Sequence, residues 1–227
     1  CILSPIIEVE SNESFKGVCI LDPGFRKAMT CYDPDGFCYE WGKGDMNKIF
    51  RLAYSADKIQ SKISEATNHR KRYKLRKAFR RVHKRIKNLI NDFHEKFSKW
   101  LLENYSVIII PEFNVSGMIR RGERKLNNKT VRGMVTWSHY SFRMKLKAKS
   151  REYPCRLIFV SEEYTSKTCG CCGEINRELG GKEVFSCKQC KTVMDRDYNG
   201  ARNILLKTLT ELEPTLTGGY LASRVDG

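Results

Sequence analysis

The rhythm of apolar and polar positions changes several times along this chain, and each change marks an element. Residues 17–22, Gly-Val-Cys-Ile-Leu-Asp, are a short apolar run that stops at Pro23-Gly24. A run of that kind bounded by a turn signal predicts a buried strand. A second strand is expected around Ala28–Tyr32 and a third around Phe37–Trp41, after the turn Asp33-Pro34-Asp35-Gly36. Three strands joined by tight turns read as an antiparallel meander whose first member ends in a carboxylate.

From about residue 47 to 104 the period becomes helical. Leu75, Phe79, Val82, Ile86, Leu89, Phe93, Phe97 and Trp100 recur at spacings of three and four, which predicts one apolar face of a long helix. A shorter helix is expected before it, around 47–66. Val107–Ile110 is wholly apolar and ends at Pro111-Glu112-Phe113, the pattern of a strand buried on both faces. Residues 129–150 read as one helix with Val131, Met134, Val135, Phe142 and Leu146 inside. Arg156–Val160 reads as another core strand. A cysteine-rich module follows, then a last helix over Tyr198–Leu209 and a turn-rich tail after Glu213, expected to be loose.

Charge adds what periodicity cannot. The chain has 42 Lys+Arg against 26 Asp+Glu, a formal net charge of +16, while 41% of its residues are hydrophobic. A core can therefore form, and the excess charge calls for a polyanionic partner. No apolar run approaches the roughly 18–20 residues of a membrane span, so nucleic acid is the expected partner. Eleven Lys and Arg lie from Arg70 to Lys87, with few acidic neighbours at helical spacing to neutralise them. One reading is a solvated helix face; the other, favoured by the single sign, is a phosphate-tracking surface built on Arg76, Lys77, Arg80, Arg81 and Lys84. The chain starts at Cys1 rather than methionine, so an upstream region is expected.

Four of the ten cysteines form two C-x-x-C pairs, Cys169/Cys172 and Cys187/Cys190, fourteen residues apart. Two such knuckles complete a tetrahedral thiolate site for one structural Zn²⁺. Cys171 falls out of register and reads as a bystander. Metal-binding cysteines in a basic chain imply a reducing compartment: cytoplasm or nucleoid in a prokaryote, nucleus in a eukaryotic or viral host.

Three acidic residues stand where core elements end: Asp22 after the first strand, Glu112 after Val107–Ile110, and Asp197 at the start of the last helix. Asp22 could simply make a turn, and Asp197 could be a helix N-cap. Together they match an α/β fold of the RNase H type, in which two strands and the final helix converge carboxylates on two Mg²⁺ ions. Hard oxygen ligands suit Mg²⁺, and two such ions about 4 Å apart can activate water and stabilise the leaving oxygen in phosphodiester cleavage.

The motifs LDPG (21–24), IPEFNVSGM (110–118), YTSKTCGCCG (164–173) and CKQCKTVMDRDYNGARN (187–203) resemble, in order, those of TnpB. This is the insertion-sequence OrfB family, with eukaryotic and giant-virus relatives called Fanzor; the type V CRISPR effector nucleases are more distantly similar. The resemblance implies a RuvC-type mixed sheet flanked by helices, with an inserted zinc ribbon. It also implies Asp22, Glu112 and Asp197 as catalytic carboxylates, since the family's aspartate stands two before the asparagine in DRDYN. Some members use a glutamate just before the YTS motif instead, which makes Glu162 the other candidate for the middle ligand. The implied activity is Mg²⁺-dependent, RNA-guided DNA endonuclease, with guide RNA and target DNA as partners. A zinc-ribbon DNA- or RNA-binding protein that does not cut is the alternative. The expected division is a nuclease core over 1–166 including the basic helical insertion (47–104), a ribbon over 167–194 that touches the target, a final helix over 195–209, and a flexible tail over 210–227.

Overall fold

The computed structural model describes residues 15–24, 27–113, 115, 128–161, 165, 167–177 and 183–222, except for the side chains of residues 129 and 212–222. Among these, five strands form one mixed sheet: β1 (Val18–Pro23), β2 (Met29–Tyr32), β3 (Cys38–Trp41), β4 (Val107–Pro111) and β5 (Arg156–Val160). Their spatial order is β3-β2-β1-β4-β5. The meander β1–β3 is antiparallel, as its short turns require, while β4 and β5 lie parallel to β1 after helical crossovers. β1 sits in the middle of the order, between β2 and β4. It carries Asp22 inside the strand, opposite Thr30, rather than after it.

Alternation along the central strands divides the core in two. Cys19 and Leu21 of β1 and Ile108 and Ile110 of β4 face α2 (His69–Asn104) and α4 (His139–Lys149), where they meet Phe97, Leu101, Phe142 and Leu146. Ile20 and Ile109 face the opposite way, against Ala201 and Ile204 of α5 (Arg196–Ala222). A third cluster joins α1 (Asp45–Glu65), α2 and α3 (Asn128–Trp137) through Met46, Ile49, Ile86, Ile90 and Trp137. Asn68 caps α2 by accepting from Lys71 N at 3.0 Å, and the Arg72 guanidinium donates to Ala66 O across the α1–α2 turn. Arg72 is thus a structural member of the basic run.

Several expected boundaries shift. The single helix over 129–150 is two: the backbone turns left-handed at Ser138, with φ 50°, and the helix restarts. Phe142 and Leu146 are buried as expected, with Trp137 and His139 on either side of the break buried as well, while Val135 is 51% exposed. On α2, Leu89 is likewise exposed, and Ile90 and His94 take the inner positions; the buried seam drifts at 3.6 residues per turn, which a count of threes and fours misjudges by one position. The last helix starts two residues before Tyr198 and continues past Glu213, where a loose tail was expected, to Ala222.

Candidate active site and metal centre

β1 and β4 run parallel in the register Ile20↔Ile109, so Asp22 and Glu112 leave the sheet at the same end. Asp22 lies on the α5 side, in step with Ile20. It packs so closely on that helix that a Cβ at Gly200 would stand 2.9 Å from its Oδ2. Asp197 is one turn earlier on the same helix. Glu112 is exposed and follows β4 directly. The strand end is pinned by Glu112 N donating to Val160 O (2.8 Å), by Arg143 Nη1 donating to Pro111 O (3.4 Å), and by Phe113 set edge-on to His139. The structure thus sets Asp22 against the helix of Asp197 and Glu112 at the neighbouring strand end. Among the described residues it does not draw the three carboxylates into one cluster at ligand spacing. Glu162 lies outside the described residues.

The helix cap is Asp195, not Asp197. Asp195 Oδ1 accepts from Asp197 N (2.8 Å) and Tyr198 N (3.2 Å), satisfying two of the orphan donors at the start of α5. That leaves the Asp197 side chain with no capping duty, at the positive end of the helix.

One residue at this end has no counterpart in the motif reading. Lys27, in the turn between β1 and β2, reaches Glu40 Oε1 at 2.7 Å, Asp197 Oδ2 at 3.3 Å and Asp195 Oδ2 at 3.4 Å, with its side chain only 14% exposed. Burial alone would lower its basicity; the hydrogen bond to Glu40 and the charges of Asp197 and Asp195 outweigh burial and hold the ammonium well above the usual lysine range. A lone lysine beyond a Pro-Gly turn carries no sequence signal. Only the fold-back of the hairpin reveals it.

The four cysteines do converge. The Sγ atoms of Cys169, Cys172, Cys187 and Cys190 all lie within 4.8 Å of one another, with Cys169–Cys190 at 3.6 Å and Cys172–Cys187 at 3.5 Å. A tetrahedral Zn²⁺ with bonds of about 2.3 Å separates its sulfurs by about 3.8 Å, so a zinc ion fits with little adjustment. The Thr192 hydroxyl, 3.2 Å from Cys190 Sγ, and the Thr192 backbone pull the Cys190 thiol down to about 6, which favours the thiolate a metal needs. Cys171 is exposed and outside the group; Arg202 Nη1 approaches its Sγ at 3.6 Å. The second knuckle is the turn of the hairpin β6 (Val184–Ser186)/β7 (Val193–Asp195) and the first lies in a turn closed by the Thr168–Ile175 bridge; the two share a core of Phe185, Cys169, Cys187 and the partly buried Met194.

Two buried asparagines of α5 lace this module to the helix that packs on the sheet. Asn199 Oδ1 accepts from Gly170 N (2.9 Å) and its Nδ2 donates to Thr168 O (2.7 Å). Asn203 Nδ2 donates to Thr165 O (2.8 Å) and Thr168 O (2.6 Å). Gly170 leaves room for this contact, since a Cβ there would lie 3.1–3.2 Å from both asparagine Oδ1 atoms and crowd them. On α2, Arg76, Lys77, Arg80, Arg81 and Lys84 are all exposed, and among the described residues none of the five has an ion-pair partner. The histidines do other work: His94 is buried with Nε2 3.0 Å from Trp137 O, and burial holds His139 down at about 4.

Comparison with known proteins finds relatives over most of the chain. Residues 16–122 match the family described as probable transposase (OrfB_IS605), and residues 139–204 match the Cas12f1-like TNB domain. A putative transposase, A625R, of Paramecium bursaria Chlorella virus 1 is 35% identical over 225 residues, covering 98% of this chain and 51% of that protein. The TnpB-like protein L79 of Acanthamoeba polyphaga mimivirus is 30% identical over 200 residues, 84% of this chain and 37% of its own length. The chain therefore spans about half of the first relative and less of the second. The fold matches a Cas12f1 solved as a cryo-EM complex with sgRNA and target DNA, with TM-score 0.60 and 19% identity over 87% of this chain and 51% of that one.

Proposed function

Because the chain belongs to the TnpB-like OrfB family, we propose that it forms the nuclease half of a transposon-encoded, RNA-guided DNA endonuclease. The observation that carries this reading is the contact of Asp22 with Gly200. A strand carboxylate set against the bare backbone of the helix that bears Asp197, with Glu112 at the next strand end, suits divalent cations held by oxygen. Such cations would supply an activated water and a stabilised leaving oxygen for phosphodiester hydrolysis. Asp22, Asp197 and Glu112 hold them in this reading. The glutamate before the YTS segment, Glu162, is the other candidate for the middle position.

The remaining parts take supporting roles. The four cysteines hold one Zn²⁺ whose bonds fold the ribbon, and the ribbon contacts the target. The exposed cations Arg76, Lys77, Arg80, Arg81 and Lys84 follow the phosphates of guide RNA or target DNA. A net charge of +16 suits a partner of that kind.

The test is cleavage of a guide-matched DNA duplex by the protein with its guide RNA. Asp197→Ala is expected to reduce the rate by several orders of magnitude while guide and target binding stay near wild type. Glu112→Gln compared with Glu162→Gln assigns the middle ligand, the one whose loss stops cutting. Undiminished Mg²⁺-dependent cleavage by Asp197→Ala, free of host nucleases, refutes the reading.

A further inference from the structure

Lys27 stands among the carboxylates at the mouth of the site, on an element that faces both the sheet and α5. We infer that its ammonium is a tethered counter-cation that competes with divalent metal for Asp197 and keeps the metal affinity of the resting protein low. The inference rests on the reading of Asp197 as a metal ligand.

The geometry carries it. Glu40 comes from β3, Asp195 from the end of β7 and Asp197 from the first turn of α5, so the Lys27 side chain, from the β1–β2 turn, reaches three separate elements. Its Nζ lies 3.3 Å from Asp197 Oδ2. A Mg²⁺ bound to that carboxylate would stand about 2.1 Å from a coordinating oxygen, close enough to repel the ammonium if both remain. Glu40 holds Lys27 more tightly than either aspartate, and Lys43 Nζ, 2.6 Å from Glu40 Oε2, shares that carboxylate. Metal arriving at Asp197 must therefore displace a cation that stays attached nearby, on Glu40. In this arrangement the lysine replaces metal in holding the first turn of α5 against the meander.

A positioning role of this kind predicts a change in metal affinity that a purely structural role does not. The measurement is Mn²⁺ binding by electron paramagnetic resonance, with the protein zinc-loaded and otherwise metal-free. Lys27→Met should bind Mn²⁺ about tenfold more tightly, the order expected for removing one nearby like charge at a partly exposed site. Lys27→Gln should do the same, and Lys27→Arg, which keeps the charge, should stay close to wild type. Asp197→Ala should lose the site. Unchanged or weaker Mn²⁺ binding in a neutral Lys27 variant that retains its zinc and wild-type circular dichroism overturns the inference. Wild-type Mn²⁺ binding by Asp197→Ala overturns the reading beneath it, and the inference with it.

Discussion

The five-stranded sheet and the cysteine ribbon reach order by different physics. The sheet is packed on both faces, with Phe97, Leu101, Phe142 and Leu146 on one side and Ala201 and Ile204 on the other, all at most 1% exposed. The ribbon's core is a single aromatic, Phe185, two buried cysteines and a partly buried methionine. At about 25 cal/mol per Å² of apolar surface buried, one phenylalanine contributes only about 3 kcal/mol, far below the total cost of ordering the ribbon's backbone at roughly 1–2 kcal/mol for every residue. The lesson is that sheet and ribbon are expected to unfold separately, one by cavity and one by chelation.

The largest expected effect is loss of zinc. Removing it, or making Cys187→Ser, should abolish amide protection over 167–177 and 183–195 while the sheet keeps its own, because structural zinc contributes on the order of 10 kcal/mol to such modules. The three tryptophans, Trp41, Trp100 and Trp137, all belong to the sheet and its helices, so their fluorescence should hardly change. A red-shifted or quenched emission on chelation would show that the two regions fold as one. Next in size is Phe97→Ala, which opens the sheet's larger core and should cost about 3–5 kcal/mol, read by urea unfolding followed through the tryptophans. Zinc content should remain one per chain.

Smaller still is the seam between the regions. Asn203→Ala leaves two buried carbonyls without that donor and should cost about 1–3 kcal/mol, seen as faster amide exchange over 165–177 without zinc loss. Protection unchanged there would mean the ribbon does not depend on α5. The smallest effect belongs to Cys171→Ser. It should leave zinc stoichiometry intact, and a protein that loses the metal would show that the ligand set is wrong.

How legible all this was in the sequence depended on whether the signal was local. The C-x-x-C knuckles and the apolar runs of β1 and β4 announce themselves within a few residues, and the structure places them as read. The helix over 129–150 misled because its break rests on one left-handed residue, Ser138, which no periodicity anticipates. The exchange of Asp197 for Asp195 as helix cap turns on which of two aspartates, two residues apart, bends back to the helix amides. Lys27 was invisible for the opposite reason: its partners lie 13, 168 and 170 positions away along the chain, at Glu40, Asp195 and Asp197, so only the tertiary fold brings them together.

Gly200 has a bearing on attempts to make this protein sturdier. A glycine inside a helix costs about 1 kcal/mol relative to alanine, so Gly200 is where a stability screen would first look for improvement. The space a methyl group would fill is the space Asp22 uses to reach the helix, 2.9 Å away. Gly200→Ala therefore forces a carboxylate to retreat in exchange for a better helix, and selection for thermal tolerance alone would drift toward proteins that fold well with Asp22 out of place.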